Sequence, residues 1–275
     1  MGKLLGLFMF VLAVGTAILF LGGWWWFPES ISEYGPPIDA QFNRTLVVAG
    51  VAFCAAQIAL GYAIIRFGRK GNERAVYTHG STKLEATWTI ITAVIFIGLG
   101  ILGQRVWAQF HLDESPPNAK KIDVVAQQFQ WNFHYPGPDN TLGRTDRKFI
   151  NDSALEFVGL DRSDPAAQDD MEITTLAVPV NQPVALTLRS KDVIHSLFIP
   201  SLRIKQDAVP GLAVRMQFTA SRVGKYEITC AELCGNLHHN MKSFMLVLPD
   251  NESNELMATP PDDFVVRMGE LLQRY

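Results

Sequence analysis

Three long apolar runs crowd the first 106 residues of this 275-residue chain, and they exclude a simple soluble fold. Residues 4–27 carry no charge. At ~1.5 Å per residue, a helix of that length crosses the ~30 Å hydrocarbon core of a bilayer. Trp24, Trp25 and Trp26 stand at its far end, where an interfacial aromatic belt belongs. A cleaved leader is the rival reading, but Lys3 is the only basic residue ahead of the run, and no small-x-small site follows the tryptophans. The second run, 46–65, is rich in Gly and Ala, which let helices approach closely in lipid, and Gln57 within it should face protein. The third is strictly apolar over 88–102 and extends to 85–106, with Trp88 and Trp107 as anchors.

Charge orients these spans. The segment between the second and third carries Arg66, Arg69, Lys70, Arg74 and Lys83, whereas the segment between the first and second has Glu29, Glu33 and Asp39 against Arg44. Basic excess marks the cytoplasmic side. The N-terminus is therefore expected inside, and everything after Trp107 outside. Before residue 111 the chain has 8 basic and 5 acidic residues, a balance of +3; from 111 onward it has 16 and 22, a balance of −6. With no basic tail and a net charge of −3, nucleic acid is excluded as an expected partner.

Beyond a linker at 111–120 the pattern is one of short strands. IDVVAQQFQWNFHYP ends at Pro136-Gly137-Pro138, and EITTLAVPVNQPVALTLRS reads as two strands around Asn181-Gln182-Pro183. VIHSLFIPSLRI, AVRMQFTA, GKYEITC and SFMLVLP continue the series, which predicts a sandwich or barrel over 121–250. Residues 251–275 form a tail without a committed pattern, although FVVRMGELLQRY is compatible with a short helix. The predicted organisation is a membrane anchor (1–110), the linker, the β domain and this tail.

The chemistry is concentrated in CAELCGNLHHNM, residues 230–241, between two predicted strands. Two thiols, an imidazole and a thioether form a soft donor set, suited to copper(I), zinc or iron–sulfur chemistry. His195, at a strand start, is the candidate for a further imidazole. Four readings compete. Cys230 and Cys234 form a disulfide outside the membrane; a structural zinc site leaves Met241 without a role; a mononuclear blue-copper site needs one thiolate fewer; two thiolates bridging two coppers use every donor and share one unpaired electron, so little ligand motion accompanies reduction.

Cys230, Glu232, Cys234, His238 and Met241, with Asp192-Val193-Ile194-His195-Ser196 upstream and Lys205-Gln206-Asp207-Ala208-Val209-Pro210-Gly211 between, resemble subunit II of the haem–copper cytochrome c oxidases over roughly residues 45–250. The resemblance implies N-terminal transmembrane helices plus an all-β cupredoxin-like sandwich on the extracytoplasmic side of a prokaryotic cytoplasmic membrane. It further implies a dinuclear CuA centre. Cys230 and Cys234 would bridge the coppers, His195 and Met241 would complete one, and His238 with the Glu232 backbone carbonyl the other. The Glu232 carboxylate would help hold Mg2+ at the boundary with subunit I. Glu85-Ala86-Thr87-Trp88-Thr89 matches the family's E-x-x-W-T, which implies a proton-uptake role for Glu85. The implied function is electron input to a proton-pumping oxidase: a cytochrome c donates to CuA, and haem and CuB in subunit I reduce O2. Subunit III is an expected further partner. The alternatives are a nitric oxide reductase subunit and a membrane-tethered copper chaperone.

Three departures from the family pattern stand out. The aromatic cluster associated with electron input reads Gln127-Gln128-Phe129-Gln130-Trp131, so Phe129 replaces one tryptophan while Trp131 remains. Thr92 stands where a proline is usual, and most relatives retain two spans, so residues 4–27 are expected to be either a leader or an extra helix at the edge. A C-x-x-C-H haem motif, present in some relatives, is absent, so the donor is expected to be a separate protein. The acidic β domain predicts steering of a basic donor, with Asp161, Asp164, Asp169, Asp170 and Asp192 as candidate surface acids. His79, His111 and His134 show no convergent partners in sequence and receive no role.

Overall fold

The computed structural model describes residues 2–23, 27–68, 74, 76–77, 79–111 and 114–275. Trp24–Trp26, Arg69 and Lys70 lie outside the described residues. The chain divides into two units, a helical one (1–27 and 37–107) and a β unit (28–36 and 108–275).

The helical unit is built from α1 (Gly2–Gly22) and all but the ends of α2 (Gly35–Phe67) and α3 (Thr82–His111), helices long and apolar enough to cross a membrane. α1 ends earlier than the expected 27. Gly23, at φ +45°, takes the left-handed conformation that terminates helices at low steric cost. α2 and α3 overrun the expected 46–65 and 85–106 at both ends, because polar residues at a helix end need no apolar surroundings. α1 and α2 cross closely. A Cβ on Gly6 would meet the Gly61 carbonyl oxygen at 3.0 Å, and Cys54 Sγ lies 3.6 Å from the Ala13 carbonyl. α2 meets α3 where Gln41 Nε2 donates to the Leu99 carbonyl at 3.3 Å.

The β unit is a sandwich of two five-stranded sheets. Its strands are β1 (Lys120–Gln127), β2 (Gln130–Tyr135), β3 (Met171–Ile173), β4 (Leu176–Pro179), β5 (Pro183–Ser190), β6 (His195–Ile199), β7 (Ile204–Ala208), β8 (Val214–Thr219), β9 (Gly224–Cys230) and β10 (Lys242–Leu248). One sheet runs β3-β2-β1-β5-β8 and the other β4-β10-β9-β6-β7. Ile122, Val124 and Ala126 of β1, Trp131, Phe133 and Tyr135 of β2, and Val184, Leu186 and Leu188 of β5 alternate into one apolar core. That period of two is what sends a strand's alternate side chains to one face. The segment expected to hold two strands holds three: β3 and β4 lie in different sheets, and the chain changes sheet at Thr174-Thr175.

Two boundaries differ from expectation. Residues 28–36, assigned by sequence to the membrane anchor, pack within the β unit: Ile31 is buried, its N–H donates to the Ser201 carbonyl at 2.8 Å, and its carbonyl accepts from Ser221 N–H at 2.7 Å. The tail is also structured, as α4 (Asp250–Met257) and α5 (Pro261–Arg274). Phe264, Met268 and Leu271 recur on one face of α5 and are buried with Leu256, so an amphipathic helix closes the core.

Residues 137–170 form a long excursion over the outer face of the first sheet. Its apolar contribution is small: Val158, Leu160 and Ala167 cluster with Val125 of β1. Polar anchors also hold it to the sheet. Asp170 accepts from Gly143 N–H at 2.8 Å and meets His134 Nε2 at 2.5 Å, while the Glu172 carboxylate accepts from the N–H groups of Phe157 and Val158.

Candidate metal centre

The loop between β9 and β10 brings the soft donors together at one end of the sandwich. β9 ends at Cys230, which pairs with Leu197 of β6, so His195 at the start of β6 is carried alongside. The sulfurs of Cys230 and Cys234 lie 3.9 Å apart. That is well beyond the ~2.05 Å of a disulfide, and it suits two sulfurs sharing a metal at about 2.3 Å each. His195 Nδ1 is 3.2 Å from Met241 Sδ and 4.0 Å from Cys230 Sγ. Cys234 Sγ is 3.6 Å from His238 Nδ1 and 3.7 Å from Met241 Sδ. The Glu232 backbone carbonyl stands 3.2 Å from Cys230 Sγ, while its carboxylate side is exposed. Donor atoms of His195, Cys230 and Cys234 all fall within 4.8 Å of one another. His195 and Met241 are fully buried, and both cysteines are buried and free. The buried thiols of Cys230 and Cys234 and the His195 imidazole, gathered in this way, fit copper.

Surrounding groups orient these donors. Asp192 Oδ1 lies 2.8 Å from His195 Nε2. A carboxylate there keeps the ring proton on Nε2 and leaves the Nδ1 lone pair facing the sulfurs. Burial alone would raise the Asp192 carboxyl, but the His195 ring and the N–H groups of Gln128 and Val193 hold it below its ordinary value. Gln128, in the turn between β1 and β2, donates its backbone N–H to Asp192 Oδ2 at 2.7 Å and its side-chain N–H to the Cys234 carbonyl at 2.5 Å. Burial, followed by the neighbouring Cys230, raises the Cys234 thiol to about 11. Metal uptake at neutral pH therefore displaces a proton.

The other sequence candidates separate by position. Trp131 belongs to the core, with its ring edge-on to His195 at 6.1 Å between centroids, whereas Phe129 is half-buried at the rim. Glu85 lies in the first turn of α3 with its side chain exposed. His239 is exposed beside His238. The expected surface patch of acids is corrected on one point: Asp170 is buried against His134, the ring to which sequence assigned no role. Asp161 and Asp164 both pair with Arg144, and Asp192 is engaged with His195. Sequence reasoning missed Gln128, because a glutamine in a strand turn carries no sign of the carbonyl it will meet 106 residues later.

Fold and site together define a protein with three membrane-length apolar helices, a two-sheet β sandwich and a cysteine–histidine loop that fits copper. Residues 121–247 match the family profile "Cytochrome C oxidase subunit II, periplasmic domain", and 23–106 match "Cytochrome C oxidase subunit II, transmembrane domain"; α1 precedes the matched region. The chain is 34% identical over 248 residues to the alternative cytochrome c oxidase subunit 2 of Bradyrhizobium diazoefficiens, covering 90% of this chain and 88% of that one. It is 30% identical to cytochrome c oxidase subunit 2 of Thermostichus vulcanus, covering 85% and 80%. The crystal structure of the periplasmic domain of subunit II of cytochrome oxidase (CoxB) of Bradyrhizobium japonicum aligns at 23% identity and a TM-score of 0.41, over 55% of this chain and 99% of that one. The chain belongs to the cytochrome c oxidase subunit II family, the electron-transfer subunit of an oxidoreductase complex.

Proposed function

We propose that this chain is the electron-input subunit of a proton-pumping cytochrome c oxidase in a prokaryotic cytoplasmic membrane. It would accept electrons from a separate cytochrome c and pass them to haem in subunit I, which holds the haems and CuB, with subunit III alongside. The observation that carries this reading is the pair of buried thiols 3.9 Å apart, flanked by His195, His238 and Met241. When bound there, a dinuclear copper pair supplies one-electron exchange with little change in ligand positions. The chain's own contribution is to hold that arrangement still. β6 and β9 fix His195 and Cys230 by strand pairing, Asp192 fixes the His195 ring, and burial of Met241 and both cysteines excludes water.

Two further roles extend the reading. The exposed Glu232 carboxylate, a hard oxygen donor, is assigned to Mg2+ at the contact with subunit I. Glu85, at the start of α3, is assigned to proton uptake from the cytoplasmic side.

The deciding experiment is copper loading of the full chain in detergent, followed by EPR. The expected result is one unpaired electron shared by two copper nuclei. A single-copper spectrum, or retention of zinc alone, overturns the reading. Oxygen and nitric oxide consumption by the co-purified complex separates the oxidase from the nitric oxide branch. Freely exchanging copper in the assembled complex would identify a chaperone instead.

A further inference from the structure

We propose that Gln128 is a positioning residue that clamps the copper loop across the sandwich. The inference rests on the copper reading above and concerns a residue that lies outside the donor set. Most of the loop's backbone bonds stay on its own sheet: Cys230 N–H donates to the Met241 carbonyl at 3.1 Å, Ala231 N–H to Ser196 at 2.9 Å, and Met241 N–H to His238 at 3.2 Å. Gln128 reaches the loop from the opposite sheet, out of the β1–β2 turn.

It does so with two different groups. The side-chain amide fixes the Cys234 carbonyl, and the backbone N–H fixes the Asp192 carboxylate that holds His195. One residue thereby restrains a thiolate-bearing segment and an imidazole together. The approach is tight. A Cβ added to Gly235 would stand 2.8 Å from Gln128 Nε2 and 2.9 Å from two ring atoms of Phe129, so the turn and the loop are in direct contact. Gln128 itself is exposed, so trimming it opens no cavity in the core. Its loss should be felt at the donors rather than in the stability of the sandwich.

The test compares the full chain with Gln128→Ala and Gln128→Glu, each copper-loaded in detergent. Glutamate keeps the shape but offers no N–H to the Cys234 carbonyl, and both variants keep the backbone bond to Asp192. Copper retention against a chelator, the EPR hyperfine pattern, the reduction potential and the unfolding midpoint of the copper-free protein are measured together. The expected result is weaker copper retention in both variants, on the order of 10-fold. A changed hyperfine pattern and a shifted potential should accompany it, with an unchanged copper-free midpoint. Variants that match the parent in retention, hyperfine pattern and potential overturn the proposal. So does a change seen in Gln128→Glu alone, which would be a charge effect, or one confined to the copper-free midpoint. If the parent chain itself binds no copper pair, the functional reading falls and this inference with it, an outcome distinct from normal parent spectra with indifferent variants.

Discussion

His134 on β2 meets Asp170 at an Nε2–Oδ2 distance of 2.5 Å, with both side chains shut off from solvent. The contact fastens the far end of the 137–170 excursion to the sheet, and Asp170 also accepts from the N–H groups of Gly137 and Gly143. Replacing His134 with Ala leaves a buried carboxylate without its ring partner, a change that costs about 3–5 kcal/mol. The two glycine N–H bonds place the expected loss toward the low end. Denaturant unfolding of the full chain measures it, and a His134→Ala/Asp170→Ala double variant should lose less than the two single changes combined.

Asp192→Asn should weaken copper binding by about 10–100-fold while leaving the fold intact. The amide still offers an oxygen to His195 Nε2, but it no longer polarises the ring as a carboxylate does. Competition with a copper chelator gives the affinity, and circular dichroism checks the fold.

Gly235 sits at φ +142°, a region that disfavours any residue with a Cβ, and the added atom would press on Gln128 and Phe129. Gly235→Ala should therefore cost about 1–3 kcal/mol. It should also release copper faster than the parent, which timed chelator extraction measures.

Glu172 gives a pH dependence with a definite sign. Burial, outweighing the N–H bonds from Val158 and Phe157, raises its carboxyl above the ordinary glutamate value. The folded state thus holds this proton to higher pH than the unfolded chain. The stabilisation linked to it is complete below the unfolded value and is lost as pH rises through the folded one. Glu172→Gln removes that loss and keeps an acceptor oxygen. Its stability relative to the parent should rise as pH climbs out of the carboxylate range, as read from unfolding midpoints at a series of pH values.

The C-terminal helix should prove structural. Phe264 is fully buried, with its ring 5.6 Å from Tyr135, and Phe264→Ala should cost about 3–5 kcal/mol. A calorimetric midpoint equal to the parent's would show that α5 does not close the core.

What could be read in advance depended on how local each signal is. The three spans were legible because hydrocarbon demands an unbroken apolar run, and β5 was legible because Val184, Leu186 and Leu188 alternate. The sheet change between β3 and β4 was not, since both carry strand-like residues and nothing local states which sheet each joins. α5 was half-legible: the spacing of Phe264, Met268 and Leu271 is present in the chain, but its value depends on a sandwich edge to pack against. Residues 28–36 were misassigned for a related reason, because Ile31 is a single apolar residue whose burial is created by segments around Ser201 and Ser221.

The amino-acid order by itself determined the membrane anchor, the strand-rich outer domain and the identity of the soft donors, since each follows from residue type and short-range spacing. Only the tertiary structure decided how His195 reaches the loop, that Asp192 meets the His195 ring and Gln128 the Cys234 carbonyl, and that His134 and Asp170 form a buried pair. Those relationships join residues up to 106 positions apart. They exist because chain folding removes water from between groups that, in the unfolded chain, would each be solvated separately.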